Sequence, residues 1–140
     1  MAYITTEEVR AIRNALKEAF PKYRFSVKKQ HHSKVDVDVI KGPAFEKFTQ
    51  WDRYQEKEVE VNLNEGYNSI NQYWIKDSAG EKNASFFEKV VEIIKKAPGT
   101  VEGGEEWFDK SDSMTDYFHT AFYFSIGVGK DYKTGYTVTQ

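Results

Sequence analysis

The chain has 140 residues, of which 39% are hydrophobic and 16% aromatic, and its formal net charge is −2. The aromatic content excludes a disordered chain, and the absence of cysteine excludes disulfide bonds, thiolate metal sites and cysteine nucleophiles. The small net charge provides no overall basic field that would attract nucleic acid. The length is that of one ordinary domain, so we expect a single domain over residues 1–140.

The first twenty residues carry charges at helical intervals, unlike the apolar segment of a secretory signal. All apolar runs are much shorter than the ~20 residues that a membrane-spanning helix needs. We therefore expect a cytoplasmic protein with no membrane partner.

The first predicted element is a helix. Thr5 and Glu8 have the spacing of a capping box, and Pro21 ends the helix because the residue before proline disfavours helical backbone. The apolar side chains between them recur at helical spacing, namely Val9, Ile12, Leu16 and Ala19.

Two strands with alternating apolar residues follow the helix. The first contains Tyr23, Phe25 and Val27, and the second contains Val35, Val37 and Val39. This alternation is typical of half-buried antiparallel strands. The polar link over residues 29–34 is short enough for a hairpin, and Gly42-Pro43 ends the unit.

Residues 44–80 give less uniform signals. The spacing of Phe45, Phe48 and Trp51 predicts a short helix over residues 44–56. Residues 59–63 alternate like a strand, and residues 73–75 predict another that ends at residues 77–80.

The last part of the chain contains a second helix and the longest predicted strand. The helix begins near Asn83 or Ser85 and ends at Pro98-Gly99. A loop rich in glycine and acidic residues covers residues 100–116, a strand covers residues 117–128, and residues 136–139 form an edge strand. This order predicts an α+β domain, an antiparallel β-sheet with two main helices packed on one face.

The histidines do not form a metal site or a catalytic pair in the predicted fold. His31 and His32 are adjacent in the hairpin turn, so their side chains point apart. His119 lies on the polar side of the long strand, where a general base is one interpretation and a surface residue is the favoured one. The glycine clusters at residues 103–104 and 127–130 do not match a Walker loop. We expect no catalytic residues, no metal and no cofactor.

The loop over residues 100–116 is strongly acidic. Asp109, Asp112 and Asp116 belong to a set of carboxylates that could hold calcium or magnesium. The order of residues is not that of an EF-hand loop, and its serines favour turns. A solvated loop is therefore the favoured interpretation.

The hairpin is strongly basic and forms the candidate interaction surface. Its members are Arg24, Lys28, Lys29, His31, His32 and Lys34. Such a surface could bind phosphates or an acidic protein. The alternative is a solvated sheet face whose charges pair partly with the acidic loop.

The region over residues 6–43 carries a recognisable pattern. Residues 6–21 read TEEVRAIRNALKEAFP, continue into Phe25-Ser26-Val27, and are followed by a valine-alternating strand that ends in Gly42-Pro43. A helix ending in LKxxFP, then FSV, a strand and a GP turn resembles the large polyvalent protein associated domain of type 29. Residues 111–118, SDSMTDYF, resemble stand-alone phage and prophage relatives. The resemblance implies a phage or plasmid origin and supplies no activity.

The leading hypothesis is a small, non-enzymatic phage or mobile-element protein that binds a host protein, for example a component of host defence. One alternative is a nucleic-acid-binding module that uses the basic hairpin. Another is a ligand-sequestering or hydrolytic protein that uses His119 and the acidic loop. The oligomeric state stays open.

Overall fold

The chain begins with the helix that the capping box predicts. The computed structural model describes residues 2–109, 120–131 and 134–139. Helix α1 spans Thr6–Ala19. The Thr5 hydroxyl accepts a hydrogen bond from the Glu8 amide at 3.1 Å, and the Glu8 carboxylate accepts one from the Thr5 amide at 3.0 Å. This reciprocal pair satisfies two amides that the first turn of a helix leaves without partners.

The remaining elements follow in chain order. They are β1 (Arg24–Gln30), β2 (Lys34–Gly42), β3 (Phe48–Asp52), β4 (Lys57–Val61), β5 (Asn68–Ile70), α2 (Ile75–Ala79), α3 (Ala84–Lys96), β6 (Tyr123–Val128) and β7 (Thr137–Val138). Short 3₁₀ turns flank α3 on both sides. The predicted β1–β2 hairpin, helix α3 and the edge strand β7 are confirmed.

The main sheet has the strand order β1-β2-β6-β5, and β7 pairs with the end of β2. The β1–β2 and β5–β6 pairs are antiparallel, whereas β2 pairs with β6 and β7 in parallel. The α+β class is confirmed, and the parallel pairs are a feature that side-chain alternation does not reveal. In the described residues β6 begins at Tyr123, and Thr120 forms an isolated bridge with Asp109.

Both long helices cover the same face of the main sheet, as predicted. The core between the layers contains the buried side chains of Ile12, Leu16, Val35, Val37, Val39, Phe87, Val90, Ile94, Ile126 and Val128. Valine and isoleucine at every second position of β2 and β6 supply the sheet side of this core, because strand side chains alternate between faces. No helix in the described residues is long and apolar enough to cross a membrane.

The predicted helix over residues 44–56 is wrong, because β3 and β4 form an antiparallel hairpin there. The Asp52 carboxylate accepts hydrogen bonds from the amides of Tyr54 and Gln55, and Glu56 has a positive φ of 51°. This is turn chemistry that reverses the chain. Trp51 is 60% exposed and Tyr54 is 97% exposed, so their spacing does not mark a buried helical stripe.

The predicted strand over residues 73–75 is also wrong. The Asn71 side chain accepts a hydrogen bond from the backbone amide of Tyr73 at 2.9 Å. The backbone amide of Asn71 donates to the Ser78 hydroxyl at 3.0 Å. These bonds form a turn that leads into α2 at Ile75. The strand of this region is β5, which lies earlier and is only three residues long.

Two asparagine side chains hold the segment between β2 and β3. Asn64 accepts from the Phe45 amide and donates to the Phe45 carbonyl, both at 2.8 Å. Asn83 accepts from the Glu46 amide at 3.0 Å and donates to the Glu46 carbonyl at 2.9 Å. We call this arrangement the asparagine clamp. It supplies the backbone partners that a neighbouring strand would otherwise provide.

Candidate functional site

The basic residues of the β1–β2 hairpin are divided between the two faces of the sheet. Lys28 pairs with Asp36 across the strands, on the face away from the helices. Lys29 lies on the helix side, where its ammonium group is 5.6 Å from the centre of the Tyr3 ring. His31 and His32 are exposed in the turn, and the His32 ring stacks on Tyr3. The six predicted residues therefore do not form one continuous patch.

Carboxylates from β2 neutralise the face that carries Lys28 and Lys34. The Lys34 ammonium group lies 3.3 Å from an Asp36 carboxylate oxygen, and that oxygen also accepts a hydrogen bond from the Ser125 hydroxyl at 2.7 Å. Asp38 follows Asp36 on the same face. In the sequence, Asp36 marks only a polar position of a strand, so its ion pair with Lys34 was missed.

Asp38 occupies a partly buried position against Tyr67. The Tyr67 hydroxyl donates to the Asp38 carboxylate at 2.8 Å. A Cβ atom at Gly127 would collide with both groups, so glycine is required there for Tyr67 to cross the sheet. Burial raises the pKa of Asp38, the Tyr67 hydrogen bond acts against this increase, and the nearby Asp36 charge adds to it.

We expect Asp38→Asn to increase the free energy of unfolding at neutral pH. The pKa of Asp38 in the folded protein lies above its ordinary value of 3.8. Its contribution to stability is therefore fully present below that value and is lost as the pH rises through the raised pKa. Asparagine keeps the acceptor for Tyr67 without the buried charge. Urea denaturation from below pH 3.8 to neutral pH measures the free energy of unfolding of the variant and the native protein. The control is Asp77→Asn, since Asp77 is exposed. An equal change in unfolding free energy in both variants would contradict a raised pKa of Asp38.

Helix α1 and the outer edge of β1 form two adjoining cavities. One, of about 450 Å³, is lined by Arg13, Lys17, Pro21, Tyr23, Arg24 and Phe25. The other, of about 400 Å³, is lined by Thr6, Val9, Arg13, Val27, Lys28, Lys29 and Gln30. Arg13 lines both cavities, so they adjoin at this side chain along the strand. We call this feature the β1 groove.

The β1 groove combines a cationic rim with an apolar floor. Five lining residues are basic, and none of the described lining residues is acidic; the basic ones are Arg13, Lys17, Arg24, Lys28 and Lys29. Tyr23, Phe25 and Val27 supply the floor. Arginine and lysine bind carboxylates and phosphates through charge-assisted hydrogen bonds. The groove can therefore hold an anionic segment that also carries apolar side chains.

Arg13 and Lys17 line the groove although neither belongs to the candidate surface that the sequence predicts. They lie one turn apart on α1, and the Arg13 guanidinium donates to the Val27 carbonyl of β1 at 2.8 Å. Their spacing places them on one side of the helix, but only the packing of α1 shows that this side meets β1. A register shift between Arg24 and Phe25 interrupts the alternation of β1, and Arg24 lines the groove together with Phe25.

Of the candidates in and beside the acidic loop, the structure describes Asp109. Asp109 is exposed, and its carboxylate accepts a hydrogen bond from the Thr120 hydroxyl at 3.2 Å. Asp112, Asp116 and His119 lie outside the described residues. Within the described ranges, no three histidine, aspartate or glutamate side chains are grouped so that they could hold a metal ion.

Comparison with known proteins identifies the family. A family model described as large polyvalent protein associated domain 29 matches residues 3–125. No curated protein and no solved structure matches the chain. The match includes the residues that line the β1 groove, and it extends the resemblance of residues 6–43 over most of the sequence. The chain therefore belongs to the large polyvalent protein associated domain 29 family, which marks it as a phage or mobile-element associated protein.

Proposed function

We propose that this protein is a non-enzymatic binding module that holds an acidic segment of a host protein in the β1 groove. The observation that carries this proposal is the lining of the groove, which has five basic side chains and no acidic one among the described residues. An acidic protein segment provides carboxylates for the rim and apolar side chains for the floor.

The surroundings of the groove favour a protein over a nucleic acid. Duplex DNA carries one negative charge per ~1.7 Å of its axis, so binding needs an extended basic surface. The sheet face next to Lys28 instead presents Asp36 and Asp38. Phosphates that extended from the groove over this face would meet carboxylates. A short acidic peptide fits within the groove and avoids this repulsion.

Membership of the family supports a partner that belongs to the host. A protein encoded by a phage or another mobile element works in a cell whose other proteins belong largely to the host. A component of host defence is the partner that we favour, as in the leading hypothesis from the sequence.

Charge reversal tests the groove directly. The probe is a short labelled peptide of alternating glutamate and valine, and its glutamine–valine counterpart tests the need for charge. We expect Arg13→Glu/Lys17→Glu/Arg24→Glu to weaken binding of the acidic peptide about a hundredfold, since several charge-assisted contacts are lost. Fluorescence anisotropy measures the affinity, and circular dichroism verifies that the variant folds.

The control variant is Lys47→Glu/Lys57→Glu/Lys82→Glu. It changes the net charge by the same amount at exposed positions that do not line the groove. We expect it to bind the acidic peptide nearly as well as the native protein. Equal losses in both variants would show a general charge effect and contradict a specific groove.

Affinity capture from nuclease-treated host lysate tests the class of partner. We expect the native protein and the control variant to retain the same host protein and the groove variant to lose it. Capture that disappears after nuclease treatment, or tighter binding to duplex DNA than to the acidic peptide, would contradict the proposal and favour the nucleic-acid alternative.

A further inference from the structure

Strand β1 presents an open edge to the β1 groove. It pairs with β2 along its length, and no other strand in the described part of the chain pairs with it. In an edge strand, every second residue directs its amide and carbonyl groups away from the sheet. Such groups are free to pair with a further strand, and side chains from neighbouring elements often cover them.

Two observations identify which residues of β1 face outward. The Arg13 guanidinium reaches the Val27 carbonyl from α1, which is not part of the sheet. The Val39 carbonyl of β2 accepts a hydrogen bond from the Gly129 amide, which lies just beyond β6 on the side of β2 opposite β1. Because carbonyl directions alternate along a strand, the carbonyls of the other odd-numbered β2 residues also point away from β1. Their partners across the pair, Phe25, Val27 and Lys29, therefore have outward-facing backbone groups.

The charges beside this edge determine what can pair with it. A second copy of β1 would bring its own basic residues against the same set, and like charges on adjacent strands destabilise their pairing. A strand with carboxylates would instead find basic partners on both sides of the sheet plane. Lys28 lies on the face away from the helices, whereas Arg13 and Lys17 extend from α1. The edge is thus protected against self-association and complementary to an acidic strand.

We propose that the acidic segment binds as an added strand along β1 and extends the main sheet by one strand. This inference rests on the proposed function and specifies its geometry. Amides and carbonyls of the segment pair with those of Phe25, Val27 and Lys29. Arg13 releases the Val27 carbonyl, which then accepts from a peptide amide, and the freed guanidinium binds a carboxylate. Each polar group that loses a partner in this exchange gains another.

Backbone methylation of the peptide tests strand addition. The probe is the glutamate–valine peptide with every amide N-methylated, which keeps its charges and side chains but removes the backbone donors. We expect this peptide to bind about tenfold or more weakly than its parent, since several backbone hydrogen bonds are lost. The matched control is a peptide that is N-methylated only at alternate residues. It keeps all the backbone donors along one edge of the strand, so it can still pair with β1 and should bind nearly as tightly as the parent.

Amide hydrogen exchange gives a second measurement on the protein itself. On addition of the unmethylated acidic peptide, we expect slower exchange at Phe25, Val27 and Lys29. The amides of Ser26 and Lys28, which face β2, should change little. This alternating pattern distinguishes backbone pairing from general covering of the groove by a bound chain.

The outcomes separate this inference from the proposal on which it rests. Equal binding of the parent and fully methylated peptides, or uniform protection across β1, would overturn strand addition while the groove remains the binding site. Failure of the parent peptide to bind, or its binding to the groove variant as tightly as to the native protein, would overturn both.

Discussion

Leu16→Ala is expected to lower the free energy of unfolding by about 2–5 kcal/mol. Leu16 is 0% exposed and lies on α1 at the interface with the sheet. The substitution removes buried apolar surface and leaves a cavity between two layers of secondary structure. Urea denaturation at equilibrium measures the difference between the variant and the native protein.

Glu18→Ala is the matched control for this measurement. Glu18 is exposed on the same helix, and substitutions of this kind usually change stability by no more than about 0.5 kcal/mol. A loss in Leu16→Ala as small as that of the control would show that α1 is not packed against the sheet.

Asn83→Ala is expected to cost about 2–4 kcal/mol, because partly or fully buried backbone groups lose their partners. Asn83 is only 6% exposed, and its side chain bonds to both backbone groups of Glu46 and donates to the Ala79 carbonyl at 2.8 Å. Replacement by alanine leaves these groups without the amide and too enclosed for full hydration. Thermal and urea unfolding of the variant measure the loss.

Asn14→Ala on α1 provides the control, since Asn14 is exposed. A second test compares Asn83→Ala, Asn64→Ala and the double variant. Both side chains hold adjacent residues of one segment, so we expect the combined loss to differ from the sum of the single losses. Strict additivity, or a loss in Asn83→Ala no larger than in the control, would contradict the clamp.

The sequence predicts the elements whose signals are local. The capping box at Thr5 and Glu8, the stripe that contains Leu16, and the alternation of Val35, Val37 and Val39 each depend on residues within a few positions of one another. These patterns located α1, β2 and the face of the sheet that the helices cover. Parallel pairing of β2 with β6 depends on contacts between residues far apart in the chain, and period-two alternation is the same in both strand directions.

The middle of the chain shows how a periodic pattern can mislead. Phe48 and Trp51 are spaced as on a helix face, yet Phe48 packs beside Gly80 while Trp51 is exposed. The deciding signal is the turn at Asp52, where a short polar side chain binds the following amides. Turn chemistry of this kind outweighs the spacing of three aromatic residues.

The sequence predicts only those members of the candidate site that are close together in the chain. Arg24, Lys28 and Lys29 are close in sequence and were identified as a basic cluster. Arg13 and Lys17 join them only because α1 packs beside β1. Lys34, although part of the same cluster, bonds to Asp36 on the other face of the sheet. Tertiary packing therefore added two members to the site and removed three, since His31 and His32 do not line the β1 groove either.

The asparagine clamp has a consequence for engineering the protein. Asn64, just after β4, and Asn83, just before α3, bind main-chain atoms of residues 45 and 46. These bonds hold the base of the β3–β4 hairpin in place. Its tip, at Tyr54 and Gln55, is exposed and lies outside the hydrophobic core. Residues inserted at this exposed tip lie beyond the asparagine clamp and outside the core, where insertions are best tolerated. The tip is thus the permissive place for an epitope tag, because Tyr54 and Gln55 do not line the β1 groove.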